Sequence, residues 1–319
     1  MAMKRPSLWA AALVFAAMTA LMLGLGFALS LIDLAWAATL PGRLALIAGS
    51  TLLAIGLPLA VFFARDTEAL DSMRLRLPLP RYVLTTALAA ALGVPVIQYI
   101  NVAFLALYNF LGIPVYSALF SAVPSASSGD ELVIIVCVMA ILPALLEELM
   151  FRGVIMGALE VRGRKAALII SALLFATVHA SLLQLPALFV VGLAIGFVVM
   201  AGDSLLLGMV YHFVHNAASL IYEHLARRVI DAPATLEGAK LELDRQLTDP
   251  GLMAQVVIAL AWLGTLYLLM LVLPYRKALS QHRLLPNQEG ERLPAGPLAL
   301  MIASAAASLM LGFVNIFSY

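Results

Sequence analysis

Charge is scarce in this chain. Asp, Glu, Lys and Arg make up 12% of the 319 residues and apolar residues 63%, against about 25% and 45–50% in soluble domains. A soluble fold of that length could not cover its surface with so few charges. Disorder needs high charge and low hydrophobicity, so it is excluded as well. There is no basic excess either: 19 Lys plus Arg face 18 Asp plus Glu, for a net charge of +1. A nucleic-acid binder, which neutralises phosphates with cations, is therefore disfavoured. The one cysteine, Cys137, allows no intrachain disulfide and reads as a small packed side chain in an apolar run. Internal repeats, low-complexity segments and the HExxH signature of zinc proteases are all missing.

What the chain has is long apolar runs. A spanning helix needs about 20 mostly apolar residues, and nine runs qualify: 7–29, 44–64, 82–108, 131–150, 166–184, 187–201, 204–224, 252–274 and 297–317. The expected class is an all-α polytopic membrane protein with about nine transmembrane helices. The stretch 109–129 is apolar but broken by Pro114, Pro124 and Gly129, and reads as a loop or interfacial segment. The first run is too long for the apolar part of a signal peptide. Lys and Arg gather at 4–5, 65–81, 152–165 and 276–292, which puts those segments and the N-terminus in the cytoplasm by the positive-inside bias. The segment 226–250, with Arg227, Arg228, Lys240 and Arg245, then falls outside, against that bias. Its leucines and carboxylates between Pro233 and Pro250 predict a short surface helix, a connector or a lid.

Ionisable groups at membrane depth cost at least ~2.5–3.5 kcal/mol each, so they mark function. Here they cluster in three places. Glu147 and Glu148 end the fourth run, with Arg152 four residues after Glu148, the spacing of a helical ion pair. Glu147 projects about 100° away with no local cation, which suits a general base; alternatively both glutamates lie at headgroup level. Phe175 and His179 sit one turn apart in the fifth run, where a lone His also serves to bridge helices. In the seventh run His212 and Asn216 share a helix face, with His215 at its border. An imidazole beside a carboxamide can donate two hydrogen bonds to one oxyanion, or form a polar seam. The depths of the three groups fit one cavity opening to the cytoplasm. Gly153 with Gly157, and Gly192 with Gly196, form pairs that allow close helix approach.

In order, the three groups read EExxxR, FxxxH and HxxxN. Over about 130–225 the chain resembles the CAAX-protease and bacteriocin-processing (CPBP) family of intramembrane endopeptidases, the Rce1-like enzymes. The resemblance implies a catalytic core of four helices over 126–226, flanked by N-terminal helices at 1–125, a polar segment at 227–251 and C-terminal helices at 252–319. It also implies roles. Glu147 activates a water, His179 helps to position it, His212 and Asn216 bind the oxyanion, and Glu148 and Arg152 support the site. Phe175 and His215 are counted with the supporting residues, although His215 has no assigned role in the motif.

The expected function is hydrolysis of a peptide bond in a membrane-associated protein or peptide, with the lipid bilayer as the other partner and no nucleic acid. The expected location is a bacterial cytoplasmic membrane. The family's prenylated substrates do not carry over, because many bacterial relatives have none. Two mechanisms stay open. Glu147, His179 and His212 would supply three ligands of a zinc site with an open fourth position, or the same residues work without metal. The second is preferred, because His212 with Asn216 suits an oxyanion hole better than a ligand set. The competing functions are a non-catalytic scaffold or immunity protein of the same fold and a proton-coupled transporter.

Overall fold

The computed structural model describes residues 5–32, 35–116, 124, 126–229, 235–277 and 294–317. Among them there is no strand, and ten helices carry the chain: α1 (Leu8–Ser30), α2 (Leu40–Arg65), α3 (Pro80–Phe110), α4 (Gly129–Arg162), α5 (Arg164–Val178), α6 (Leu185–Gly202), α7 (Leu205–Val229), α8 (Leu236–Thr248), α9 (Pro250–Val272) and α10 (Ala295–Phe317). Eight, all but α5 and α8, are long and apolar enough to cross a membrane. The protein is an all-α polytopic integral membrane protein. Local chemistry sets many of the starts. Ser7, Thr39, Ser128, Thr235 and Asp249 accept backbone N–H groups of the turns they precede, and Pro80 opens α3 where no N–H is needed.

Two expectations change. The fifth run is a helix of 15 residues, about 22 Å at 1.5 Å per residue, shorter than the hydrocarbon core. It stops because Ala180 turns left-handed at φ 47°, so His179 lies just past the helix and is exposed. The fourth run does not end at residue 150. It continues to Arg162 as a 34-residue helix, and Arg152, counted in a basic loop from the sequence, is 2% exposed near its middle. Cys137 also departs from expectation: it is exposed on the outer face of α4.

The helix α4 is not uniformly wound. It widens into π-turns at Cys137–Ile141 and Leu149–Ile155, and α2 does the same at Leu52–Gly56. Two of these turns have a proline just beyond them. Pro58 and Pro143 have no N–H for the carbonyls of Ala54 and Met139, so the regular ladder is interrupted there. Of the two glycine pairs, one brings helices together. A Cβ at Gly192 would lie 3.0 Å from the Ala172 Cα and one at Gly196 2.5 Å from a Leu168 methyl, which seats α6 directly on α5. Gly153 instead leaves room for the Met73 sulfur, 2.9 Å from where its Cβ would be.

One end of the bundle is clamped by charge. Arg74 donates to Glu160 at 2.6 Å and to Asp203 at 3.0 Å, Arg76 reaches Asp203 at 2.6 Å, and Arg5 lies 3.5 Å from Glu160. Arg164 donates to the Met200 carbonyl at 2.6 Å. Tyr82 stacks on Tyr275, ring centroids 4.8 Å apart. The segments 65–81 and 160–165, the α6–α7 turn and the end of α9 thus meet at one end. At the other end α8 packs Leu243 and Leu247 against Val115, Leu182 and Leu183, and Tyr116 donates to Asp244 at 2.9 Å. That carboxylate raises the Tyr116 phenol above its ordinary pKa. The surface helix expected at 226–250 is therefore present and docked; residues 230–234, like 117–123 and 125 of the 109–129 segment, lie outside the described residues.

By the Lys/Arg bias the clamped end is expected to be cytoplasmic. A cysteine introduced at 163 is expected to react with an impermeant maleimide only after the membrane is opened. Labelling from outside intact cells would invert the orientation.

Candidate functional site

The site begins with a buried ion pair. Glu148 is 0% and Arg152 2% exposed, and Arg152 Nη1 donates to Glu148 Oε1 at 2.9 Å. Arg152 Nη2 donates to the Gly192 carbonyl at 3.0 Å. The guanidinium lies over the Phe175 ring, 4.5 Å from its centroid. Three helices, α4, α5 and α6, thus meet at one cation. The ring itself is 1% exposed and has Phe151 edge-on at 5.3 Å, His179 at 4.9 Å and His212 at 5.8 Å. The phenylalanine of FxxxH is the hub on which the other motif residues rest.

The helix α7 supplies the fourth wall. His212 Nδ1 donates to Glu148 Oε1 at 2.8 Å, so that one oxygen binds both the arginine and the imidazole. The ring then presents Nε2 towards Glu147, 3.9 Å from Oε2. That Glu147 oxygen is buried and has no hydrogen-bond partner among the described residues. On a helix the two glutamates diverge, and His212 fills the angle between them. The approach is close: a Cβ at Gly208 would sit 2.9 Å from Glu148 Oε2 and 2.6 Å from a Val199 methyl, so a side chain at 208 would push α7 off the pair.

Asn216, one turn beyond His212, donates its amide to the Met139 carbonyl at 3.4 Å. That carbonyl is the one left without its ladder partner by Pro143. Its second amide N–H remains for another acceptor. His215 points to the other side, where Nδ1 donates to the Ala90 carbonyl of α3 at 3.3 Å. His179 donates from Nδ1 to the Phe175 carbonyl at 2.8 Å, closing the end of α5 where carbonyls run out of backbone partners.

Glu148, Arg152, Phe175, His179 and His212 are thus brought into one contact network, with Glu147 beside His212 and Asn216 on the same face of α7. His215 lies outside that network. The depths differ from expectation. Because α4 continues to Arg162 and α5 starts at Arg164, Glu147 and His179 each lie about 22 Å along their helices from the clamped end. The cavity expected near that end rested on α4 stopping at 150. Among the described residues no group of three or more His, Cys, Asp or Glu is arranged to hold a metal ion. Sequence reasoning missed Pro143, the Met139 and Gly192 carbonyls and Gly208. Of these, the proline four residues before Glu147 was a readable signal, since its effect on the Met139 carbonyl follows from helix geometry alone.

Residues 129–218 match the family model described as type II CAAX prenyl endopeptidase, Rce1-like. The segment that holds all three motifs is therefore similar to that family, as the motifs indicated. The chain matches no curated protein and no solved structure.

Arg152 tests the packing of this site. Removing one partner of a buried pair strands the other charge, at a cost of about 3–5 kcal/mol. Arg152→Ala is expected to lower the yield and thermal midpoint of purified protein severely. Arg152→Lys should rescue little, because an ammonium cannot hold a carboxylate and a carbonyl while stacking on a ring. Wild-type yield and melting in Arg152→Ala would refute the account.

Proposed function

We propose that this Rce1-like membrane protein is an endopeptidase that hydrolyses a peptide bond of a membrane-associated protein or peptide. The observation that carries the reading is the gap between Glu147 Oε2 and His212 Nε2. At 3.9 Å it is too long for a direct hydrogen bond, and the Glu147 oxygen has no other partner among the described residues; a water taken up between the two atoms would bond to both.

In this reading the scissile carbonyl carbon approaches that water. Glu147 takes its proton as the new C–O bond forms, and the carbonyl π electrons move to oxygen. The oxyanion is met by the free N–H of Asn216 and by His212 when Nε2 carries a proton; the Nδ1 bond to Glu148 holds the ring in place for either state. Collapse of the tetrahedral intermediate breaks the C–N bond, and Glu147 returns the proton to the leaving amine. His179, whose Nδ1–H is already donated, keeps an Nε2 lone pair to orient water or substrate at the exposed end of α5. Glu148 and Arg152 do no chemistry. They fix His212 and separate the two carboxylates into one structural and one reactive group. No observation favours the scaffold or the transporter.

Glu147→Gln keeps the shape and loses the base, so the variant should insert and melt like wild type while cleavage falls ~10²–10⁴-fold. His212→Ala and Asn216→Ala should each cost ~10²–10³-fold, and a chelator should leave turnover unchanged. The measurement is cleavage of a peptide library by protein in vesicles. Glu147→Gln, His179→Ala and His212→Ala variants that all cleave as wild type does would end the assignment.

A further inference from the structure

The face of α7 that looks away from the site is also polar. Tyr211 and His215, one turn apart, are 0% and 7% exposed and their rings stack at 6.0 Å, 16° from parallel. The Tyr211 hydroxyl bonds to that of Tyr267 on α9, which is 3% exposed. His215 Nδ1 donates to the Ala90 carbonyl on α3 at 3.3 Å. The same interface continues along α3 to the turn that follows α9, where Thr86 bonds to Tyr275 at 2.6 Å. These groups bond to one another and to α3 and α9, away from Glu147, Glu148 and Arg152, and the motifs leave them without a role.

Their placement supplies one. Tyr211 and His215 stand one residue before His212 and Asn216, so the two pairs occupy faces about 100° apart on the same two turns of helix. Lipid-embedded helices gain little from apolar contact with each other, and hydrogen bonds and close packing decide how they are rotated. Ring atoms of His212 lie about 6 Å from the axis of α7, so a turn of about 10° moves them about 1 Å. A displacement of that size would break the Nδ1 bond to Glu148, and misplacement of 1 Å can cost ~10²-fold in rate.

We infer that His215, with the Tyr211–Tyr267 hydroxyl pair, is a positioning element that fixes the rotation of α7 and thereby the His212 imidazole between Glu148 and Glu147. The catalytic consequence rests on the endopeptidase reading; the geometric one does not. His215 acts through His212 and touches no substrate.

The test uses full-length protein in lipid vesicles, labelled with nitrogen-15 histidine, with the His212 signal identified by its loss in His212→Ala. In His215→Ala the His212 Nδ1 resonance should leave its hydrogen-bonded position. On a peptide that the wild type cleaves, kcat should fall ~10²-fold with KM unchanged. His215→Asn should restore both, since its amide nitrogen occupies the place of Nδ1 and donates to the same carbonyl. Should His215→Ala fail to insert, Tyr211→Phe/Tyr267→Phe takes its place: it removes both hydroxyls, orphans neither, and is expected to shift the same resonance. An unchanged His212 signal in the variant that inserts overturns the proposal, as does failure of His215→Asn to restore it. Absence of any peptide cleavage by the wild type would instead count against the endopeptidase reading, and the His212 resonance would still decide this one.

Discussion

The Glu148–Arg152 pair is the constraint around which the four central helices are arranged. Both ends are out of reach of water, so each charge has to be satisfied by protein. Glu148 Oε1 accepts from Arg152 and His212, and Arg152 takes the Gly192 carbonyl and the Phe175 face. Each of those partners comes from a different helix. Ion pairs of this kind add little net stability over an apolar core, because desolvation offsets the attraction. What they do well is forbid alternatives: sliding α6 or turning α7 would strand a charge in a low-dielectric interior. Membrane helices have weak apolar preferences for one another, so a buried pair is an effective way to define a single arrangement.

That arrangement explains why an aromatic ring is needed next to it. Phe175 sits with a cation on its face and two imidazoles and a benzene ring at its edges. An aromatic ring offers a negative face and a positive rim, and a leucine of similar volume offers neither. The glycines at 192 and 208 act on distance: one lets the α6 backbone come close enough to give its carbonyl to Arg152, the other lets α7 come close enough to give His212 to Glu148. The network therefore needs small residues as much as charged ones.

Much of this was legible in the sequence. Apolar run length placed most spans, and the i,i+4 spacings of Glu148 with Arg152 and of His212 with Asn216 gave pairings on single helices. The segment 129–218 was recognisable from three motifs. What could not be read was anything that depends on which helix faces which. That His212 would bond to Glu148, that Arg152 would reach Gly192, and that His215 would turn towards α3 are facts of rotation and depth, and an apolar periodicity diluted by lipid-facing leucines does not encode them. Two errors have a common source. Ending α4 at residue 150 assumed that a charged residue marks the membrane surface, and extending the fifth run to 184 assumed that an apolar stretch stays helical. Arg152 is charged but internally paired, and Ala180 is apolar but left-handed.

The proline of α4 adds a role that a catalytic motif alone does not suggest for Asn216. In hydrocarbon a backbone carbonyl without a donor costs several kcal/mol, and Pro143 creates such a carbonyl at Met139, four residues earlier. The π-turn at Cys137–Ile141 lies beside it, and the Asn216 amide donates to that oxygen. One of its two N–H groups is thus committed to the fold, and in the proposed reaction the other meets the oxyanion. The commitment explains why a carboxamide suits this position better than a hydroxyl: a single O–H could satisfy the Met139 carbonyl or an oxyanion, but not both at once. It also ties the two halves of the site together, because Pro143 lies one turn from Glu147, and Asn216, which bonds to the carbonyl that Pro143 leaves open, is one turn from the imidazole that Glu147 faces.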